Sequence, residues 1–217
     1  MRFRRLVNLP LAAATLLTAL SLTSALILTT GARHHLVVAK SNAYDSVIAI
    51  SRARAVAYDL NADESRYLTN PAHAAAYEQA FLDKTQVVAR LDGATLSTYD
   101  ARLAAAADAH RADHAVVRFD GFLGAELRNI TFAGEQEAAE RVLTAFQQYQ
   151  LDDRKIRDLR NQGRLKEAVT FNTGTSPGRS NADFELLSTA LRDVLAVRSP
   201  TPTTNSGQEP PQPPAWR

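Results

Sequence analysis

His110-Arg-Ala-Asp-His114 is the stretch of this 217-residue chain best suited to chemistry, because imidazoles four residues apart share a helix face and could grip one metal ion. Asp113 and Asp108 lie close by, but Asp113 points round the helix from His114 and Asp108 is only two positions from His110. Structural zinc takes four ligands and catalytic zinc commonly takes three from protein, and no Glu follows His110 as in a His-Glu-x-x-His motif. No third ligand stands in sequence register. The pair therefore predicts a polar, solvated helix face, with no tight metal site and no cofactor.

The other candidates are weaker. Asp63-Glu64 and Asp152-Asp153 are consecutive, so on a helix they point apart and cannot bracket a scissile bond by themselves. Gly174-Thr-Ser-Pro-Gly178 matches Gly-x-Ser-x-Gly in letters, but no strand-like tract precedes it as a nucleophile elbow requires. Cys is 0, which excludes thiolate metal sites, a cysteine nucleophile and a disulfide scaffold. With 9 Gly and no Gly-rich loop opening a strand–helix unit, a nucleotide-binding α/β enzyme is excluded as well. The Asn172–Asn181 loop carries Gly174, Ser176, Pro177, Gly178 and Arg179 and could cup an anion, although such clusters commonly only interrupt a helix. Arg52 and Arg54 could face a small acidic ligand, but charges beside an apolar seam read as solvated flanks. The residues predict no enzyme, assign no catalytic, cofactor or metal residue, and leave the ligand-binding residues open.

The elements that hold these residues follow from charge and periodicity. Lys+Arg number 25 against 23 Asp+Glu, a net +2, and Arg2, Arg4 and Arg5 supply more than that excess, so the rest of the chain is near neutral. No basic stripe exists to track a phosphate backbone, which excludes nucleic acid as a partner. Behind the arginines, Leu6–Ala32 carries no charge. That length matches the ~20 residues of a membrane-crossing helix, and the arginines predict that everything after it lies outside the cytoplasm. Thr30-Gly31-Ala32 is a passable cleavage exit, but the apolar core exceeds the roughly 7–15 residues of a signal peptide, which favours an uncleaved anchor. His34-His35 then marks the lipid interface.

Beyond the anchor every apolar tract repeats at helical spacing. Leu36–Thr69 places Val37, Ser41, Tyr44, Ile48, Ser51, Ala55, Tyr58 and Ala62 on one stripe, with Asp63 and Glu64 mostly off it. It ends at Asn70-Pro71, where Asn70 is expected to cap the next helix. Ala72–Asn129 reads as one bent helix or two, with Gly121 and Gly124 allowing a kink or close approach. Glu135–Gln162 is the cleanest helix: its acids come first, its bases last, and Gly163 stops it. Its seam is Ala139, Val142/Leu143, Phe146, Tyr149, Ile156 and Leu159. A tract from Arg164 to Asn172 breaks and resumes after Ser180 with Phe184, Leu187, Leu191, Val194 and Leu195 in phase. Six of the 9 prolines fall after Ser199, which predicts a disordered or polyproline-like tail.

The predicted organisation is a cytoplasmic stub (1–5), a transmembrane signal anchor (6–32), an extracytoplasmic all-α antiparallel four-helix bundle (33–198) and a Pro-rich tail (199–217). Tyr149-Gln-Leu-Asp-Asp-Arg-Lys-Ile-Arg-Asp-Leu-Arg-Asn-Gln-Gly-Arg-Leu-Lys-Glu-Ala168, followed by Ser180-Asn-Ala-Asp-Phe184, is similar to the third-to-fourth helix joint of a known bundle family. The chain resembles the extracytoplasmic four-helix-bundle input domain of bacterial chemotaxis receptors and sensor histidine kinases over roughly Leu11–Val197. In that family helix four leads to a second membrane helix and an output module, whereas here it gives way near Arg198 to the Pro-rich tail. The resemblance implies a membrane-anchored, non-catalytic sensor domain that binds a small ligand or a partner protein, in the manner of a truncated signal-transduction receptor. Small residues Ser41, Ser51, Ala55 and Ala62 on the first helix suit a homodimer. The alternative is a cell-envelope scaffold acting through its tail.

Overall fold

The computed structural model describes residues 9–130 and 133–198, with side chains over 13–24, 48–130 and 133–197. Among them there are helices and no strands, apart from one isolated antiparallel bridge between Arg90 and Asp120. The helices are α1 (Leu9–Thr69), α2 (Ala74–Val88), α3 (Tyr99–Ala112), α4 (Gly121–Arg128), α5 (Glu135–Asn161), α6 (Leu165–Asn172) and α7 (Ser180–Arg198), with a 3₁₀ turn at Pro71–His73. The chain divides into two compact units, Met1–Asp45 and Ser46–Arg217.

In the first unit residues 13–24 are helical and exposed, including Leu16, Leu17, Leu20 and Leu22. The remainder of the expected anchor, Leu6–Ala32, has side chains outside the described residues, as have His34, His35, Val37, Ser41 and Tyr44. Among the described residues no helix is long and apolar enough to cross a membrane. The Pro-rich tail also lies outside them.

The second unit is organised round α5, which packs against α3, α4, α6 and α7. Its expected seam is correct: Ala139, Val142, Leu143, Phe146, Tyr149, Ile156 and Leu159 are all buried. The helix ends as the sequence predicts. Gly163, at φ +75°, donates to the Arg160 carbonyl and Arg164 to the Leu159 carbonyl, the paired bonds that satisfy the last carbonyls of a Schellman stop.

Three expectations are corrected. First, Ala72–Asn129 is neither one helix nor two but three, α2, α3 and α4. Residues 89–98 leave helical geometry because side chains satisfy the freed backbone groups. Gln86 Oε1 accepts from the Leu91 amide (2.7 Å), and the buried Tyr99 hydroxyl donates to the Ala89 carbonyl (2.5 Å). Gly121 then starts α4 at φ +79°, and a Cβ there would lie 2.8 Å from the Val87 and Val88 carbonyls, so only glycine lets α4 approach the end of α2 so closely. Second, Asn70 stops α1 but its side chain does not cap the following turn. Third, the stripe on α1 is out of phase. Ser51, Ala55 and Tyr58 are exposed, while Ile50, Ala53, Ala57, Leu60 and Glu64 are buried. Two acids inside the true seam disguised it, because a periodicity count scores Asp63 and Glu64 as surface.

Two apolar cores result. The larger joins Leu60, Phe81, Leu103, Phe146, Tyr149, Phe184 and their neighbours. The smaller closes one end with Tyr67, Leu68, Ile156, Leu159, Ala168 and Phe171. Lys155 and Arg160 sit over the Phe171 and Tyr67 rings of the smaller core at 4.0 and 3.9 Å, cation–π contacts that cover its apolar edge.

Candidate functional site

Both groups of chemically capable residues hang on α5. One lies where the two cores meet. Glu64 from α1 is fully buried, and its Oε2 accepts from Asn172 Nδ2 (3.2 Å) and Ser180 Oγ (3.1 Å). The loop that looked able to cup an anion instead turns both of its ends onto the protein's own Glu64 carboxyl. Asp152 and Asp153, expected to point apart, are both buried, because α5 is covered on several sides and consecutive positions both face protein. Asp153 pairs with Arg157, and Asp63 pairs with Lys84 and Arg66.

Desolvation governs this cluster. Burial, reinforced by Asp153, pushes the Glu64 carboxyl well above the usual carboxylate range. Burial and then the neighbouring Asp183 push Asp152 up to about 7. Asp153 rises to about 6 because burial outweighs the Arg157 guanidinium beside it. The Tyr149 hydroxyl is likewise held far above its ordinary value by burial and by Glu64. A substrate has no route to Glu64 or Ser180, so the contact between them is structural.

The second group is the histidine pair, and the structure overturns the reasoning that dismissed it. His110 is 1% exposed, not solvated: Tyr99, Leu103, Ala106 and Ala107 turn the same face of α3 into the core. Helix α3 ends at Ala112, before His114. Asp113 is extended there and its Oδ1 accepts from the Ala115 amide (3.0 Å), so the chain folds back. The turn brings the Val116 carbonyl to 3.1 Å from His110 Nδ1 and sets the two imidazole rings edge to face at 5.3 Å. The third group comes from another helix. Glu140, in the second turn of α5, places Oε1 3.1 Å from His114 Nδ1 and 4.0 Å from His110 Nε2. Gln136 Nε2 donates to the same oxygen (2.9 Å) and orients it. Nothing in the spacing of the sequence signals Glu140. Only the α3–α5 packing, stapled by Arg111 Nη2 to Gln147 Oε1 (2.6 Å), delivers it.

Glu140 also forms the wall of an open groove of about 700 Å³ bordered by α5 and α7. Arg111, Glu137, Arg141 and Asp193 supply charge of both signs to it, and Leu186 and Ala190 supply apolar floor. Of the remaining sequence candidates, Arg52 is exposed and Arg54 lies over the Tyr58 ring at 5.8 Å, so they do not form an anion site together. Asp108 pairs with Arg111 and lies outside the histidine group. No protein family, curated protein or solved structure matches the chain.

Proposed function

We propose that the chain is a membrane-anchored, extracytoplasmic helical-bundle sensor domain that binds a small charged ligand and catalyses nothing. The groove bordered by α5 and α7 carries this reading. It is large enough for a small molecule, and its lining offers both signs of charge together with apolar side chains. The anchor is supported by the uncharged Leu6–Ala32 stretch behind Arg2, Arg4 and Arg5, and by the exposure of Leu16, Leu17, Leu20 and Leu22 on the described part of that helix. A leucine surface with no protein cover suits lipid. On the same reading the long helices α1, α5 and α7, with α2 to α4 as the broken fourth column, make the four-helix bundle of the receptor input domains the sequence resembles.

Two measurements test it. In spheroplasts expressing the full chain with a C-terminal tag, protease added outside is expected to remove the tag while the chain fractionates with membrane. A tag cleaved only after lysis overturns the topology. A thermal-shift panel of amino acids and small dicarboxylates, run on the detergent-solubilised full chain, is expected to yield a ligand whose shift disappears in Arg141→Ala. A shift that survives both Arg141→Ala and Asp193→Ala places the ligand outside the groove.

A further inference from the structure

We propose that His110, His114 and Glu140 form a site for one divalent transition-metal ion of the zinc class, with its fourth coordination position turned to solvent. The argument begins with the proton on His110. The Val116 carbonyl, 3.1 Å from Nδ1, can only accept a hydrogen bond, so Nδ1 carries the hydrogen and Nε2 of the neutral ring is a bare lone pair. That nitrogen is buried and has no hydrogen-bond partner. It faces Glu140 Oε1, another acceptor, at 4.0 Å, and His114 Nδ1 converges on the same oxygen at 3.1 Å. Two acceptors aimed at one another across a buried gap need a cation between them.

The geometry suits a metal in that role. The donor atoms of the three residues all lie within 4.8 Å of one another. Zinc bonded at ~2.0–2.1 Å to tetrahedral ligands holds them roughly 3.3–3.4 Å apart, so the donor atoms need to close by at most about 1.5 Å. The surrounding shell is also in place. Val116 fixes the tautomer and plane of His110, and Gln136 fixes the Glu140 carboxylate, the outer-shell support that metal ligands characteristically have. Two imidazoles and one carboxylate select zinc, nickel or copper over magnesium or calcium, which prefer oxygen throughout. The His114 side chain is 56% exposed and that of Glu140 32%, so an ion can enter from solvent. Three protein ligands with one open position is the arrangement of zinc sites that hold a water or an anion rather than purely structural ones.

The test uses the full chain without a polyhistidine tag, stripped with chelator and titrated with zinc chloride against a chromophoric indicator. Expected are saturation at one zinc per chain, no competition by excess magnesium, and visible absorption of a four-coordinate site when cobalt(II) replaces zinc. Loss of an outer-shell partner commonly weakens metal binding about 10–100-fold, so Gln136→Ala should fall in that range. His114→Ala and Glu140→Gln remove a ligand each and should exceed it. Both change solvent-reachable side chains, and retained far-ultraviolet circular dichroism separates lost binding from lost fold. Failure of the folded wild-type chain to bind zinc saturably overturns the site and leaves only the His114–Glu140 contact in its place. Binding unchanged in both His114→Ala and Glu140→Gln overturns it equally.

Discussion

The two polar clusters on α5 treat charge in opposite ways. Around Glu64 the acids are buried, and the fold answers them in part from within: Asn172 and Ser180 donate to Glu64 Oε2, Arg157 meets Asp153, and Lys84 meets Asp63, while Glu64 Oε1 and Asp152 Oδ2 are left without a hydrogen-bond partner. Glu140 lines an open groove, and beside it His110 Nε2 faces an acceptor with no donor supplied. A polar group that the protein itself satisfies specifies how its helices register. What sets the other cluster apart is its geometry: His110 Nε2 faces a second acceptor, Glu140 Oε1, and His114 and Glu140 are reachable from solvent.

The contrast can be broken most forcefully at Phe146, fully buried on α5 between the two clusters. Phe146→Ala is expected to cost about 3–5 kcal/mol in urea unfolding, through lost transfer energy and the cavity left behind. Its neighbour Gln147 spends its side chain on a surface bond to Arg111, so Gln147→Ala should cost less than about 0.5 kcal/mol. Equal effects at the two positions would refute the burial assigned to α5.

The sealed cluster is sharpened next by Ser180→Ala, which strips Glu64 of a donor and should cost about 1–3 kcal/mol as a buried acceptor loses its partner. Glu64→Gln in the same background should recover part of that loss, since an amide removes the ionisable group that burial disfavours. No recovery would mean that Glu64 is not a burden on the fold.

A smaller effect is expected from pH. The Asp152 and Asp153 carboxyls are raised from an ordinary value near 3.8 to about 7 and about 6, so the folded chain keeps protons that the unfolded chain has released. Their contribution to stability is present in full below the ordinary value and is lost as pH rises through the folded values. Unfolding free energy measured across that window should therefore fall more steeply with pH in the wild-type chain than in Asp152→Asn. Parallel profiles would remove the protonated Asp152 from the account.

Smallest of all, His114→Ala in metal-free chain should change stability by less than about 0.5 kcal/mol, because its contact with Glu140 is half-exposed to solvent. A cost of several times that would make the open cluster a structural one.

How much of this was legible in the sequence varied with the element. The span of α5, its seam and its glycine stop were readable because local signals agree there: acids first, bases last, one apolar face, and a residue that tolerates positive φ at the end. On α1 the same method gave the wrong face, since Asp63 and Glu64 sit in the seam and hydropathy counts them as surface. Ala72–Asn129 hid its breaks because Gln86 and Tyr99 replace helical hydrogen bonds by contacts that no spacing rule records.

By itself the amino-acid sequence determined the helical class, the helix that centres the second unit, and a pair of histidines within reach of each other. Those depend on periodicity and on neighbours along the chain. Only the tertiary structure decided that His110 is buried, that Glu140 meets it from another helix, and that Asn172 and Ser180 answer Glu64 across more than 100 positions of chain. Such contacts are set by which helix faces pack together, and the side chains that meet across a packed interface leave no mark in the order of residues on either side.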